Sequence, residues 1–229
     1  MILRKWKDLP ENMRNESVRK CYDQLQRKNL SLFLKRLFDV VGGIIGLLVL
    51  SPVLIIIAVF IKMESKGPVL FRQVRVTQYG KRFSIFKFRT MVANAEKIGT
   101  QVTTKNDSRI TPMGRFLRKY RFDEVPQLVN IIIGDMSFVG TRPEVVKYVD
   151  LYTDEMMATL LLPAGVTSEA SISYKDEERL LLDAENVDKV YIENILPEKM
   201  KYNLESFEQF TILNDISIMA RTLAAVFIK

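Results

Sequence analysis

From Val40 to Ile61 the chain reads VVGGIIGLLVLSPVLIIIAVFI, without one charged residue. As a straight helix this run would be roughly 33 Å long, so its length alone makes it a membrane segment. Two features argue against a simple crossing. Ser51 and Pro52 sit at its middle; Pro52 lacks an N–H and its ring clashes with the Leu48 carbonyl, so a helix must kink there. The Ser51 hydroxyl is available to the carbonyl thus freed. Lys35 and Arg36 precede the run, and Lys62, Lys66, Arg72 and Arg75 follow it. Excess cations at both ends place both ends in the cytoplasm. A helix–break–helix that enters and leaves by one face meets both demands, but prolines also occur in complete spans. These residues alone do not choose between the two.

The remainder reads as ordinary water-soluble protein, so the chain is a membrane-attached catalytic or binding domain, not a transporter, which needs several such runs. The net charge of +7 draws anions: nucleic acid, lipid headgroups or phosphorylated substrates. No zinc-finger spacing, basic zipper or RNA-recognition signature supports nucleic acid, and beside an apolar segment lipid and phosphate gain. Cys21 is the single cysteine and there is no histidine. An intrachain disulfide, a thiolate zinc site and every histidine-dependent mechanism are therefore excluded. Chemistry falls to Asp, Glu, Lys, Tyr, Ser or Thr, and any metal would be a hard cation held by oxygens.

Three regions are expected: a polar extension over 1–32, a membrane segment over 33–66 and a cytosolic domain over 67–229. Trp6 among Arg4, Lys5 and Lys7 suits a membrane interface, although a surface extension is the plainer reading. VLFRQVRV and KRFSIFKFRTM around Tyr79-Gly80 predict a β-hairpin. On its second strand Lys87 and Arg89 are two apart and share a face, which makes either an anion site or a solvated face. PMGRFLRKYRF is helical, and in the tail from Phe207 to Ile228 a stripe of Ile212, Leu213, Ile216, Met219, Leu223, Val226 and Phe227 predicts an amphipathic helix for the core or the membrane surface, core packing being the commoner use.

The stretch FDEVPQ carries most of the chemistry. Pro126 belongs in the first turn of a helix, which puts the helix start at Asp123 or Glu124 with Asp123 as N-cap. Helix-start N–H groups favour a carboxylate and attract phosphate. Adjacent helical residues do not share a face, so Asp123 could attack a phosphate while Glu124 holds a cation. Without context, a plain cap beside a solvated acid is the simpler explanation. Context adds Arg118, Arg121, Arg142, Lys87 and Arg89. A carboxylate nearing a phosphate meets repulsion of about 4 kcal/mol at 4 Å in a moderately screened site, which such cations offset. Arg142, in the turn Gly140-Thr141-Arg142-Pro143, is suited to bidentate phosphate binding.

The ordered motifs KRLFDVVGG…SP, GPVLFRQVR, GKRFSIFKFRTM, TKNDSRITPMGRFLRK, FDEVPQLVNIIIGDMSFVGTRP and LPAGVTSEASI resemble the bacterial sugar transferases, the monotopic phosphoglycosyl transferases, over roughly residues 33–229. The resemblance implies an α+β, helix-rich monotopic membrane protein with a re-entrant helix broken at Ser51-Pro52, a small hairpin and amphipathic interfacial helices. It implies Asp123 as covalent nucleophile, Glu124 as its partner near Mg2+, and Arg118 and Arg142 on substrate phosphates. It further implies a UDP-sugar donor, a polyprenyl phosphate acceptor and the cytoplasmic leaflet of a bacterial inner membrane; a homo-oligomer is open. Two departures stand out: Thr141 replaces a usual proline, and Ala164 sits as an extra residue in the usual Pro-Gly-Ile-Thr-Gly. Two rivals remain, a non-catalytic phosphate-binding scaffold and a hydrolase that gives the phosphosugar to water.

Overall fold

The computed structural model describes residues 3–92, 95, 107–174, 177, 186–208 and 210–227, with side chains up to residue 225 except that of Glu208. The expected motif residues Thr104 to Asn106 and the tail residue Ile228 lie outside them. In chain order come α1 (Glu16–Gln26), α2 (Asn29–Glu64), β1 (Leu70–Val76), β2 (Arg82–Phe88), α3 (Pro112–Lys119) and a 3₁₀ turn (Phe122–Glu124). Then follow α4 (Gln127–Ile133), β3 (Met136–Val139), α5 (Val146–Val149), a 3₁₀ stretch (Met156–Leu161), β4 (Ala164–Thr167) and α6 (Glu169–Ser173). The last are α7 (Val187–Val190), a π turn (Tyr191–Ile195), α8 (Leu196–Glu208) and α9 (Ile212–Phe227).

The helix-rich α+β class holds. The predicted hairpin is β1 antiparallel to β2, with Leu70 opposite Phe88 and Val76 opposite Arg82. Its turn places Tyr79 (φ 59°) and Gly80 (φ 73°) in the left-handed region. Phe83 and Ile85 point from alternate positions of β2 into a core with Ile131 and Met136. A second pair, β3 parallel to β4, was not expected from the sequence. Its two ends close on one another: a Cβ on Gly165 would lie 2.1 Å from the Gly140 nitrogen, so only glycine fits there.

The apolar run lies in α2, which among the described residues is the one helix long and apolar enough to cross a membrane. Its backbone stays helical through Pro52. The Ser51 hydroxyl donates to the Leu48 carbonyl at 2.8 Å, the very group the proline leaves without a partner. Leu32, Lys35, Asp39 and Gly43 are buried at helical spacing along the first half, and Ile57 and Ile61 are buried near the end. Between them Leu48, Val49, Ile55 and Ile56 are exposed. The first half lies on α4, β3 and α9, while Ile57 and Ile61 join Phe88 and Leu117 in a separate core. Both ends of the apolar helix therefore pack on one body.

Packing corrects two expectations and gives two of the flanking cations internal partners. The N-terminal extension is not a surface appendage: Leu3, Leu9, Met13, Val18, Tyr22 and Leu25 share a core with Val76, Leu161, Phe207 and Phe210. Trp6 packs edge-on to Tyr22 with ring centres 5.3 Å apart. The two basic residues before the apolar run have partners within the protein. Lys35 is 3% exposed and its Nζ donates to Asp215 Oδ2 at 2.6 Å and to the Val139 carbonyl at 2.8 Å. Arg36 donates to the Ile131 and Ile132 carbonyls at 2.6 and 2.7 Å, satisfying the open end of α4. Finally, the apolar stripe of α9 does not pack on the core. Asp215 and Ile218 face inward, and the hydroxyl of Thr222 lies 2.6 Å from that of Thr167. Leu213, Ile216 and Leu223 are left outside.

Candidate active site

The site forms where the 3₁₀ turn and α4 meet β2 and the β3–α5 loop. Thr111 caps α3 by accepting from the Gly114 N–H at 3.0 Å, with Pro112 opening the helix. Gly114 allows this helix to approach the chain after β2, since a Cβ there would fall 2.0 Å from the Thr90 carbonyl oxygen. The helix ends at Lys119, and Arg121 reverses the chain at φ 58°. The turn Phe122–Glu124 then brings two consecutive carboxylates into the interior, each 8% exposed.

Asp123 is not the helix cap expected of it. Arg121 precedes the 3₁₀ turn, Pro126 precedes α4, and Asp123 lies inside the turn without a capping bond. The physical reason is Arg121, whose left-handed backbone starts the turn two residues early.

The two carboxylates differ sharply in their surroundings. Glu124 Oε1 accepts from Lys87 Nζ at 2.8 Å and from Arg142 Nη2 at 2.6 Å. Glu124 Oε2 meets Arg142 Nη1 at 3.5 Å. Burial would raise the Glu124 carboxyl, but Arg142 and Lys87 override it and hold it well below the usual range. Asp123 Oδ1 is buried with no hydrogen-bond partner. Burial first, then the charge on Glu124, push its carboxyl up, while Lys87, Arg121 and Arg118 pull it back. Such an unpaired buried acceptor costs about 1–3 kcal/mol, which a bound electrophile or cation can recover. Gln127, one turn on, has a buried side-chain nitrogen that is likewise unpaired.

The expected cations are not all together. Lys87 and Arg142 grip Glu124, and Arg118 lies near enough to act on Asp123, with its Nε donating to the Thr90 hydroxyl at 3.0 Å. Arg89 does not join them. Its guanidinium donates to the Ser65 carbonyl and hydroxyl at 2.7 and 2.9 Å and to the Lys66 and Ile61 carbonyls at 3.0 and 3.2 Å. Arg89 thus closes the C-terminal end of α2, because that end presents carbonyls lacking helical partners. β2 ends at Phe88, so Arg89 lies past the strand expected to carry both cations, and the two reach different targets.

The loop bearing Arg142 is built by the parallel strand pair. Gly140 N–H donates to the Thr167 carbonyl at 3.0 Å and Gly165 N–H to the Thr141 carbonyl at 2.9 Å. The second bond uses only the carbonyl of residue 141, which a proline also supplies, so Thr141 leaves the loop's anchoring intact. Behind Arg142 stands a residue that the sequence presented only as a cation flanking the apolar run. Arg75 Nη1 donates to the Pro143 carbonyl at 3.1 Å, tying the loop to β1. Alternation along β1 was the available signal, since Arg75 falls on the same face as the paired Gln73.

Mg2+ was expected at Glu124. Among the described residues no group of three or more His, Cys, Asp or Glu side chains is placed to hold a metal. Mg2+ commonly takes only one or two carboxylates and completes its shell with phosphate oxygens and water. Glu124 Oε2, with its one long contact, fits that donor set.

A family model described as bacterial sugar transferase matches residues 30–229. A UDP-glucose:undecaprenyl-phosphate glucose-1-phosphate transferase of Escherichia coli (strain K12) is 34% identical over 223 residues, 96% of this chain and 45% of that protein. A UDP-N-acetylgalactosamine-undecaprenyl-phosphate N-acetylgalactosaminephosphotransferase of Aeromonas hydrophila is 36% identical over 170 residues, 71% of this chain and 40% of that protein. An undecaprenyl-phosphate galactose phosphotransferase of Salmonella typhimurium is 32% identical over 214 residues, 87% of this chain and 41% of that protein. The chain thus spans less than half the length of these relatives. Their names carry three different sugars at nearly equal identity.

Proposed function

Since this chain belongs to the bacterial sugar transferase family, we propose that it moves a sugar phosphate from a UDP-sugar to a polyprenyl phosphate, releasing UMP. Undecaprenyl phosphate is the acceptor in the names of the relatives above, and the product would start assembly of a bacterial surface glycan. The observation that carries this reading is Asp123 Oδ1, buried and unpaired beside a neighbouring carboxylate that is already neutralised.

The reaction has two steps. Asp123 attacks the sugar-bearing phosphorus and UMP leaves, so the protein holds a phosphosugar. A lipid phosphate then attacks the same phosphorus and restores the carboxylate. Glu124 fixes Lys87 and Arg142 beside the nucleophile, and Arg118 adds charge on the α3 side; all three cations stabilise the phosphoryl oxygens. Mg2+, held by Glu124 Oε2 and the donor's own phosphates, would supply further positive charge there. The burial that raises Asp123 also makes it a stronger nucleophile once ionised.

The acceptor lives in the bilayer and the donor in water, so the nucleophile has to sit at their boundary. The inner-membrane segment is read as re-entrant at the cytoplasmic face. A crossing helix would carry its ends to opposite sides, whereas Arg36 and Arg89 fasten the two ends of α2 to one body. Leu213, Ile216 and Leu223, exposed on α9, suit a helix lying on the same lipid surface.

Intact-protein mass after mixing with Mg2+ and UDP-glucose, UDP-galactose or UDP-N-acetylgalactosamine in turn should show one added phosphosugar, absent in Asp123→Ala. Lipid acceptor should then discharge it. Adduct formation that survives Asp123→Ala would refute the assignment, and discharge to water alone, with no lipid product, would favour a hydrolase.

A further inference from the structure

Among the described residues two buried side-chain atoms lack a hydrogen-bond partner, Asp123 Oδ1 and Gln127 Nε2. They are four residues apart, and Val125 and Pro126 between them have right-handed helical angles. Side chains so spaced leave the same face, one turn apart. The next residue on that face, Asn130, is fully engaged. Its amide donates to the Ser84 carbonyl at 2.9 Å and its Oδ1 accepts from the Phe86 N–H at 3.0 Å. Asn130 thus pins the face to β2, and Gln127, 2% exposed, sits between that anchor and Asp123.

One orphan is an acceptor and the other a donor, yet they do not bond each other. A phosphoryl group answers both, offering an electron-poor phosphorus to Asp123 and an electron-rich oxygen to Gln127. A divalent cation would answer the carboxylate alone.

We infer that Gln127 is a further catalytic residue whose side-chain amide donates to a non-bridging oxygen of the phosphoryl group as that group moves onto Asp123. The inference rests on the reaction proposed above. As the bond from Asp123 Oδ1 to phosphorus forms, the bond from phosphorus to the UMP oxygen breaks and its electron pair leaves with UMP. The amide keeps its protons and stabilises charge on the equatorial oxygens. In the second step a lipid phosphate oxygen bonds to phosphorus, the bond to Asp123 breaks, and the carboxylate returns.

The test is rapid-quench intact mass on the full chain in detergent, with Mg2+ and UDP-glucose, UDP-galactose or UDP-N-acetylgalactosamine. Gln127→Met keeps the volume and deletes the donor. Adduct formation should slow by about 10²-fold, while Tm holds or rises because an unpaired buried donor is gone. Gln127→Glu keeps the shape, and its rate relative to wild type at the same pH should recover as pH falls, since a protonated carboxyl again offers a donor. Wild-type rates in Gln127→Met overturn the role. A wild-type pH profile in Gln127→Glu does the same and decides the matter if the Met variant fails to fold. Labelled wild type with indifferent Gln127 variants sinks this inference alone, whereas a wild type that gains no mass from any donor sinks the reaction too.

Discussion

Two buried polar clusters in this body treat their charges in opposite ways. Around Lys35, every group is answered: Lys35 holds Asp215 and the Val139 carbonyl, and Asp39 Oδ1 accepts from the Ser137 hydroxyl and the Phe138 N–H, both at 3.0 Å. Around Asp123, one carboxylate is doubly paired while its neighbour and Gln127 each keep an unpaired atom. Both clusters take charge out of water, and only the first recovers the cost within the protein. The first therefore fixes architecture, joining the apolar helix α2 to β3 and α9. The second stays poised for a ligand.

The contrast breaks most completely at Asp123. Asp123→Ala should abolish adduct formation, since no oxygen remains there to bond phosphorus, yet leave thermal stability level or raised, because it removes an unpaired buried acceptor. A drop in stability of the kind expected at Lys35 would erase the distinction between the clusters. Lys35→Ala should do the reverse. It strands the Asp215 carboxylate, and unfolding in detergent should show a loss of about 3–5 kcal/mol. Replacing both partners, Lys35→Met with Asp215→Leu, should recover most of it. Failure of that recovery would mean the pair acts through something other than mutual neutralisation.

A smaller effect is expected at Arg36→Ala, about 2 kcal/mol by the same measurement, from two charge-assisted bonds to the end of α4. The smallest is a shift along the pH axis. Asp123 must be ionised to attack, and its carboxyl is raised by burial and by Glu124. Labelling should climb with pH through that raised value and flatten above it. Glu124→Gln removes the neighbouring anion and leaves Lys87 and Arg142 unpaired beside Arg118 and Arg121, so the rising limb should move to lower pH even as the rate falls. An unmoved limb would show that Glu124 does not set the ionisation of Asp123.

Much of this was legible in the linear chain because it depends on neighbours a few residues away. Pro52 needs only Leu48 and Ser51 for its consequence to be written. The hairpin follows from alternation around Tyr79-Gly80, and α3 from Thr111-Pro112. Asp123 and Glu124 were singled out by the helix start that Pro126 implies and then by motif order, with their differing surroundings unseen. Gln127 was within reach, four residues from Asp123, but its importance lies in a bond it does not make.

What the chain alone determined was its long apolar helix, its local turns and the chemical types available for catalysis, since periodicity, length and the absence of histidine are properties of order and composition. Tertiary structure alone decided which charges meet. Lys35 finds Asp215 across 180 residues, Arg89 turns from Lys87 to Ser65, and Arg142 reaches Glu124 from a loop that β4 anchors. Long side chains reach in many directions from any one backbone position. Which of those directions is taken depends on partners brought close only when the elements pack.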